Sequence, residues 1–251
     1  MKKTFITLLA LAGVAMGETV TYDILADQEN WQMGCGRYSA PSFNADGSIE
    51  GSGWAQMYAN YRFDSAITLT EGQTLEFSYD ITSKSNNAIH SFTFETASDK
   101  VMIGNIAYEN QTLGLGTTTS SSNNGYIASG GWGTSVSASA MTNKEGGNFA
   151  YTPSTAYNVS GSITLKENSY VMTIEVNDTE YATVNLGADF SLTGVVFSLD
   201  GDNDAGTGTQ LSNLSLSVVT PDVPSGNIPE PATATLSLLA LAGLAARRRR
   251  K

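Results

Sequence analysis

Alternation of apolar and polar residues is the feature that most limits how this chain can fold. Between Thr74 and Ile81, the apolar residues Leu75, Phe77 and Tyr79 occupy every second position. A period of two places these side chains on one face of a strand, whereas a helix repeats every 3.6 residues or so. Similar runs recur at 89–95, 101–107, 160–165, 170–176, 181–186, 192–199 and 211–219. The sequence therefore predicts an all-β domain, an antiparallel β-sandwich or jelly roll, over residues 18–220.

Turn residues connect several of these runs. Asn177 and Asp178 tolerate positive φ and favour a tight hairpin, and residues 166–169 form a second reverse-turn signal. Together they predict a three-stranded meander from Ser160 to Leu186. The segment from Asp200 to Thr209, rich in Asp and Gly, is predicted to be a polar loop before the last strand.

Residues 112–148 carry the weakest pattern in the predicted domain. The segment is dominated by Gly, Ser, Thr and Asn. A structureless loop of that length is unusual inside a compact domain. Two interpretations remain open: a functional surface loop, or a region with short strands around Tyr126–Ile127 and Val136.

The first 17 residues are typical of a secretory signal peptide. Lys2 and Lys3 supply the charged start, and Phe5 to Ala15 is an apolar stretch of 11 residues, too short to span a bilayer. Small residues at Ala15 and Gly17 suit cleavage after Gly17. An uncleaved N-terminal anchor is the alternative.

The C-terminal end has three consecutive parts after a linker at 221–227. The motif Pro229, Glu230, Pro231 is followed by uncharged residues 232–246 and then by the basic group Arg247, Arg248, Arg249, Arg250 and Lys251. As a helix, 232–246 would reach about 22 Å, short of the roughly 30 Å hydrocarbon thickness of a bilayer. Because basic residues stay cytoplasmic, we expect transient anchoring in the inner membrane while the domain is exported.

Residues 228–251 resemble a PEP-CTERM sorting signal, in which a Pro-Glu-Pro motif, a short hydrophobic helix and an Arg-rich end follow one another. The resemblance implies a Gram-negative bacterium and recognition by an exosortase, a membrane-embedded cysteine transpeptidase. It also implies delivery to the cell envelope, the cell surface or the medium. An ordinary tail anchor that begins at an accidental Pro-x-Pro is the alternative. Neither interpretation requires this chain to be catalytic.

Charge and rare residues exclude several classes of function. The chain has a net charge of −11, and 23 acidic against six basic residues leave the region 18–225 at about −17. Such an acidic chain is not a nucleic-acid binder, because phosphate binding needs a surplus of cations. One Cys excludes an internal disulfide or a Cys-based zinc site, and one His excludes a multi-His metal centre.

The strand order also resembles the concanavalin A-like lectin and glucanase sandwich. The resemblance rests on the meander Ser160 to Leu186, the run Leu192 to Gly201 and the closing run Leu211 to Val218. It implies a fold that contains both glycan-binding proteins and glycosidases, and function does not follow from fold.

Evidence for catalysis is weak in the sequence. A laminarinase-like Glu-x-Asp-x-x-Glu motif has its nearest counterpart at 175–180, where Asn177 replaces the Asp and a hairpin separates Glu175 from Glu180. The single His90 has no nucleophile motif beside it, and we expect a surface or strand-end histidine. The chain is therefore predicted not to be an enzyme, with a divergent glycoside hydrolase or lyase as the alternative.

Aromatic and acidic residues are the candidates for ligand binding. Trp132, between glycines in the weakly patterned region, is the first candidate for stacking on a sugar. Trp31 and Trp54 are further candidates, although both could equally anchor the core. Asp200, Asp202 and Asp204 have the 1-3-5 spacing that begins a calcium loop. The later ligand positions do not fit that loop, so a looser Ca²⁺ loop and a polar turn both remain open.

The sequence thus predicts an exported, exosortase-sorted protein. Its β-sandwich is expected to act in glycan binding or as a structural, adhesive module of the cell surface.

Overall fold

A computed structural model describes residues 17–35, 39–52, 56–84, 89–107, 110–121, 125–128, 134–200 and 208–221. The predicted signal peptide up to residue 16, almost all of the linker, the sorting motif, the hydrophobic helix 232–246 and the basic end lie outside these residues. The described chain forms one compact unit, Thr19–Thr220. In this part of the chain, no helix is long and apolar enough to cross a membrane.

The described unit is built from 17 strands and one short 3₁₀ turn, Gln28–Asn30. The strands are β1 (Glu18–Tyr22), β2 (Trp31–Cys35), β3 (Ser42–Phe43), β4 (Ile49–Ser52), β5 (Gln56–Ile67), β6 (Thr74–Ser83), β7 (Ile89–Thr96), β8 (Lys100–Ala107), β9 (Asn110–Thr118), β10 (Tyr126–Ala128), β11 (Thr134–Val136), β12 (Ala138–Ala140), β13 (Ala156–Lys166), β14 (Ser169–Val176), β15 (Thr179–Asn185), β16 (Leu192–Asp200) and β17 (Gly208–Thr220). The all-β prediction is confirmed, because the described residues contain no α-helix.

Two antiparallel sheets form the sandwich. The eight-stranded sheet has the order β15-β14-β13-β6-β17-β4-β3, with β1 also paired to β17. The seven-stranded sheet has the order β12-β9-β8-β7-β16-β5-β2. A separate parallel ribbon joins β10 and β11, with Tyr126 opposite Thr134.

The core lies between the two sheets and follows from the alternation in the sequence. Along β6, Leu75, Phe77, Tyr79 and Ile81 are all at most 3% exposed. The Tyr79 ring stacks on the Phe92 ring of β7, with 4.3 Å between the centroids. Each buried side chain of this size contributes roughly 1.5–3 kcal/mol relative to an exposed position.

The predicted meander is confirmed as β13-β14-β15. At the β14–β15 turn, Asn177 and Asp178 have φ of 48° and 60°, the two positive values that a two-residue hairpin of type I′ requires. Glu167 and Asn168 adopt the same conformation at the β13–β14 turn, with φ of 49° and 63°. Two two-residue turns with positive φ therefore fix the register of three strands.

Of the two interpretations left open for residues 112–148, the one with short strands is correct. The described part contains most of β9 and the short strands β10, β11 and β12. Tyr126–Ala128 and Val136 are at most 1% exposed. Burial of these residues stabilises the short strands within a segment of polar composition.

Candidate functional site

The outer face of the seven-stranded sheet lies beneath the β10–β11 ribbon. Ser91, Thr93 and Glu95 of β7 point away from the core, yet each is at most 1% exposed. The backbone N–H of Tyr126 donates to Oγ of Ser198 over 2.9 Å, and its carbonyl oxygen accepts a hydrogen bond from Oγ of Ser91. The ribbon therefore covers the β7 part of this face.

An ion pair between the buried Glu95 and the exposed Arg62 lies beside the same ribbon. The Tyr126 hydroxyl donates to Oε1 of Glu95 over 3.0 Å, and Oε2 of Glu95 pairs with the Arg62 guanidinium. Burial raises the pKa of the Tyr126 phenol and lowers the pKa of Arg62. Both oxygens of the Glu95 carboxylate are therefore engaged by side chains of the domain itself. No sequence motif marked Glu95, because a lone acid in an apolar strand carries no pattern.

His90 lies at a strand end, one of the two positions expected from the sequence. It does not lie on the surface, which was the other. It is the second residue of β7 and is 1% exposed. Its Nε2 is 2.5 Å from the Tyr157 hydroxyl, and burial lowers its pKa to about 3. The imidazole is therefore neutral at physiological pH and is enclosed by tyrosines of the core.

Trp31 lies in the core, which was the alternative to ligand binding in the sequence analysis. Its side chain is 6% exposed, and Nε1 donates to the carbonyl oxygen of Ile24 over 2.8 Å. The ring lies 5.4 Å from the Tyr61 ring and 6.3 Å from the Phe43 ring. A ring held in this way does not offer its face to a sugar.

The remaining predicted site residues fall largely outside the described chain. Trp54, Trp132, Asp202 and Asp204 lie outside it, and Asp200 is described only as a backbone position at the end of β16. The strand ends that flank two of these segments are neighbours, because Gly208 pairs with Ser52 and Asp200 pairs with Gln56. Within the described ranges, no group of three or more His, Cys, Asp or Glu residues is arranged to hold a metal.

The acidic residues around the predicted hairpin face each other, as the sequence indicated. Glu175 pairs with Glu180 across β14 and β15, next to a register shift at Ile174. Nζ of Lys144 lies 3.2 Å from Oε2 of Glu180. Glu180 is thus partly neutralised at the sheet edge.

Hydroxyl groups cover the outer face of the eight-stranded sheet. Ser78 pairs with Ser160 on β13 and with Ser215 on β17, so serines form a row across three strands. A shallow hollow of about 360 Å³ lies over this row and is bordered by Glu76 and Glu175. Its floor is open and flat, so it surrounds little of a ligand.

A deeper hollow lies where β17 is irregular, and we call it the bulge hollow. Its volume is about 550 Å³, within the range of roughly 300–1,000 Å³ typical of ligand pockets. It is lined by Asp23, Leu25, Ala26, Gln28, Asp46, Gly47, Ser48, Gln210, Ser212, Asn213 and Leu214.

Interrupted strand pairing creates the bulge hollow. β4 pairs with one edge of β17 only as far as Leu211, and β6 pairs with the other edge. Because β1 also pairs with β17, it must occupy the first edge beyond Leu211. The register with β6 shifts between Ser212 and Ser215, and Asn213 has a φ of 52°. Nδ2 of Asn213 donates to Oδ2 of Asp80 over 2.6 Å, which holds the bulge in place. Bulges commonly re-aim side chains next to functional sites.

The β3–β4 turn supplies one wall of the hollow. Gly47 has a φ of +85°, and its N–H donates to the Asn44 carbonyl oxygen over 3.0 Å. Oδ1 of Asp46 accepts hydrogen bonds from the Ser48 hydroxyl at 2.5 Å and from the Ser48 N–H at 3.0 Å. These bonds, the hydroxyl first, hold the pKa of Asp46 below its ordinary value. The carboxylate is therefore ionised at neutral pH.

Ser48 joins the turn to the sheet. Its hydroxyl accepts hydrogen bonds from Nε2 of Gln210 at 2.5 Å and from Nδ2 of Asn44 at 3.0 Å. Ser48 itself is 1% exposed. A buried, fully bonded serine keeps the Asp46 carboxylate in a fixed position.

The turn after β1 supplies another part of the lining. Oδ1 of Asp23 accepts a hydrogen bond from the Ala26 N–H over 3.3 Å. Leu25 is half-buried and Leu214 is 6% exposed, so both add apolar surface to the polar lining. Among the described residues around the hollow, none is a Lys or Arg. The hollow thus combines amides, hydroxyls, carboxylates and aliphatic carbon without a positive charge.

The sequence contained one unused signal for this site. Leu211 and Leu214 are separated by two residues, whereas Leu214, Leu216 and Val218 keep the strict alternation. The extra residue indicates a bulge. The convergence of two other turns on that bulge could not be predicted, because strand order is not visible in a local pattern.

Residues 227–251 match the model of the PEP-CTERM protein-sorting motif. Among solved structures, the chain is similar to an endo-1,3-beta-glucanase from Streptomyces sioyaensis, with 9% identity, a TM-score of 0.53, and coverage of 85% of this chain and 100% of that chain. It is also similar to the potassium-bound Emp46p carbohydrate recognition domain, with 7% identity, a TM-score of 0.50, and coverage of 78% and 91%. No curated protein matches the chain.

At such low identity the structural likeness concerns the fold alone. The sorting motif, by contrast, implies exosortase processing and a secreted or cell-envelope protein. The chain therefore combines a β-sandwich of the concanavalin A-like fold with a PEP-CTERM sorting motif at residues 227–251.

Proposed function

We propose that this protein is a non-catalytic glycan-binding module of the cell surface, and that the bulge hollow binds the sugar. The observation that carries the proposal is the hollow of about 550 Å³ in which amide, hydroxyl and carboxylate groups surround two leucines. Export would use the signal peptide 1–17 and transient anchoring by residues 232–246.

The lining matches the two kinds of surface that a sugar presents. Sugar hydroxyls both donate and accept, so they suit the Gln28 and Gln210 amides together with the Asp23 and Asp46 carboxylates. The C–H faces of a sugar ring suit the side chains of Leu25 and Leu214. Concave sites with a few fixed polar groups are the usual form of small-ligand sites.

The ionisation of Asp46 makes it unsuited to the general-acid role in glycoside hydrolysis. A glycosidase needs one carboxyl group whose pKa is raised, so that it can protonate the leaving oxygen. The pKa of Asp46 is shifted in the other direction, because the Ser48 hydroxyl and N–H stabilise the anion. Asp46 is therefore suited to accept hydrogen bonds from sugar hydroxyls.

A glycan array tests the proposal on residues 18–225, which include the whole compact unit Thr19–Thr220. Circular dichroism and cooperative thermal unfolding would first verify that this fragment is folded. We expect selective binding that Gln28→Ala weakens. Gln32→Ala is the matched control, because Gln32 is exposed on β2 and does not line the hollow. Absence of binding by the folded domain, or equal weakening by both variants, would overturn the proposal.

The same array separates the other expectations. Trp132→Ala measures the contribution of the aromatic residue that the sequence favoured, and binding with and without Ca²⁺ tests the Asp200, Asp202, Asp204 cluster. A parallel assay for released sugars tests the alternative of a divergent glycoside hydrolase or lyase. Release of sugars by the wild-type domain would show that the protein is an enzyme and not a non-catalytic binding module.

A further inference from the structure

The Asn-x-Ser/Thr pattern of an N-glycosylation acceptor, in which x is not Pro, occurs at four positions of the chain. These positions are Asn110, Asn158, Asn177 and Asn213. A group can be attached to such an Asn only where the residue is exposed and its amide nitrogen is free to react. The structure describes the side chains of three of them, and that of Asn110 lies outside the described residues.

The amide nitrogens of Asn158 and Asn213 are both engaged. Nδ2 of Asn158 donates to Oδ1 of Asp80 over 2.8 Å and to Oγ of Ser78 over 2.9 Å. Nδ2 of Asn213 donates to the other oxygen of Asp80 over 2.6 Å. Because one carboxylate accepts from both nitrogens, a group attached to either would cost a charge-assisted hydrogen bond.

Asn177 is exposed at the β14–β15 hairpin, and its amide nitrogen is free. The backbone N–H of Asn158 donates to Oδ1 of Asn177 over 3.0 Å, and the N–H of Asn177 donates to the Asn158 carbonyl oxygen over 3.0 Å. The first bond identifies Oδ1, because a backbone N–H can only donate. It holds the side chain by its oxygen, while Nδ2 has no hydrogen-bond partner among the described residues.

The neighbours of Asn177 complete the acceptor pattern. Thr179, its third residue, is exposed at the start of β15. Glu175, two positions before Asn177, is half-buried and offers a carboxylate that a cation of a transferase can bind. None of the other three acceptor patterns has an acidic residue at that position. Asn177 therefore stands apart from the others in sequence as well as in exposure.

The hairpin also lies at the end of the sheet that is remote from the sorting motif. β17 leads towards that motif, and its Val219 pairs with Thr74. Through β13, Thr74 is level with Val171 near the start of β14. The span from Val171 to Val176 covers about 17 Å along the strand. An enzyme can therefore reach the hairpin without approaching the segment that leads to the sorting motif.

We propose that Asn177 is an N-glycosylation site, to which a bacterial oligosaccharyltransferase transfers an oligosaccharide from a polyprenyl-diphosphate donor during export. Nδ2 attacks C1 of the first sugar, so a C1–N bond forms and the bond between C1 and the diphosphate oxygen breaks. The polyprenyl diphosphate leaves, and Nδ2 gives one proton to a base of the transferase. The proposal is independent of glycan binding by the bulge hollow and rests on the export that the sorting motif implies.

An assay with purified components tests the proposal directly. The full chain, in a zwitterionic detergent, is incubated with a purified bacterial oligosaccharyltransferase and a polyprenyl-diphosphate oligosaccharide of known mass. A synthetic acceptor peptide in the same reaction verifies that the transferase is active. We expect the intact mass of the chain to rise by the mass of the oligosaccharide, and peptide mapping to place the addition on Asn177. Asn158 and Asn213 should stay unmodified in the folded chain.

Two variants remove the acceptor in different ways. Asn177→Asp keeps the size and the tolerance of positive φ but lacks the amide nitrogen, and Thr179→Val lacks the hydroxyl of the pattern. Each should abolish modification at position 177. Asp178→Asn is the matched control, because it changes the adjacent turn residue, suits positive φ and keeps the acceptor pattern. It should be modified like the wild type, and cooperative thermal unfolding verifies that all three variants are folded.

The outcomes separate this site from the other acceptor patterns. Modification of the wild type and of Asp178→Asn, but of neither acceptor variant, would support the proposal. An unmodified wild-type chain in a reaction that modifies the peptide would overturn it. Modification at Asn158 or Asn213 in place of Asn177, or a mass increase that persists in Asn177→Asp, would overturn it as well. None of these results changes the test of glycan binding.

Discussion

The hydroxyl of Tyr126 donates a hydrogen bond of 3.0 Å to Oε1 of Glu95, and this contact joins the β10–β11 ribbon to the central strand β7. Glu95 is 1% exposed and also pairs with Arg62. The ribbon thus covers the outer face of the seven-stranded sheet through a polar contact at its centre. Both hollows described above lie on the eight-stranded sheet, and the bulge hollow is the deeper of the two.

Removing the Tyr126 hydroxyl should destabilise the domain. Tyr126→Phe keeps the ring but leaves Oε1 of buried Glu95 without this donor, and we expect a loss of about 1–3 kcal/mol. Urea unfolding measures the change. Tyr181→Phe is the control, because this ring is only half-buried at the edge strand β15. A change under about 0.5 kcal/mol in Tyr126→Phe would contradict the assigned role of the contact.

Acid should destabilise the domain through His90. Burial lowers its pKa to about 3 in the folded state, whereas the unfolded chain has the ordinary value of about 6.5. The stability from the neutral imidazole is fully present above pH 6.5 or so. It is lost as pH falls towards the folded pKa, by about 1.4 kcal/mol per pH unit, since only the unfolded state takes up the proton.

Urea unfolding between about pH 6.5 and 5 isolates this effect from most carboxylates. His90→Gln should flatten the pH dependence in that window, whatever its stability at neutral pH. Tyr157→Phe removes the partner at 2.5 Å but keeps the imidazole, so it should retain the slope. An identical slope in the wild type and His90→Gln would show that His90 is not the titrating group.

Trp31 should matter for folding and not for ligand binding. Trp31→Phe removes the indole donor to the buried Ile24 carbonyl and some core volume, with an expected loss of about 2–4 kcal/mol. Glycan affinity of the folded fraction should stay unchanged. A variant of wild-type stability that loses affinity would return Trp31 to the list of ligand contacts.

The sorting motif should control release from the membrane. Substituting Ala at Pro229 and Pro231 is expected to stop processing, so that the chain stays in the membrane fraction of cells that contain an exosortase. Pro221→Ala, in the linker, should be processed normally. Cell fractionation and the mass of the mature protein measure both results. Normal release of the motif variant would show that exosortase does not read this motif.

Local sequence pattern predicted the strands and the meander, because alternation and turn residues act over short distances. Phe77 and Tyr79 revealed a buried face, and Asn177 with Asp178 revealed a hairpin. Burial of His90 could not be predicted in the same way, since the strand that carries it is covered on both sides. The Tyr126–Glu95 contact spans 31 positions, and no local pattern encodes such a distance.

The bulge hollow could likewise be predicted from the sequence only in part. The spacing of Leu211 and Leu214 marked an irregular strand, but Asp23 and Asp46 reach the hollow only because β1 and β4 share one edge of β17. Aromatic residues drew attention at the sequence level, whereas Trp31 belongs to the core. Polar turn residues form the hollow, and their types are too common to stand out in a sequence.

A crystal structure of residues 18–225 with the glycan that binds best would show where the sugar lies. We expect the sugar in the bulge hollow, with its hydroxyl groups on Asp23 and Asp46 and a ring face against Leu25 or Leu214. A sugar bound at any other surface of the sandwich, with the hollow free, would refute glycan binding by the hollow.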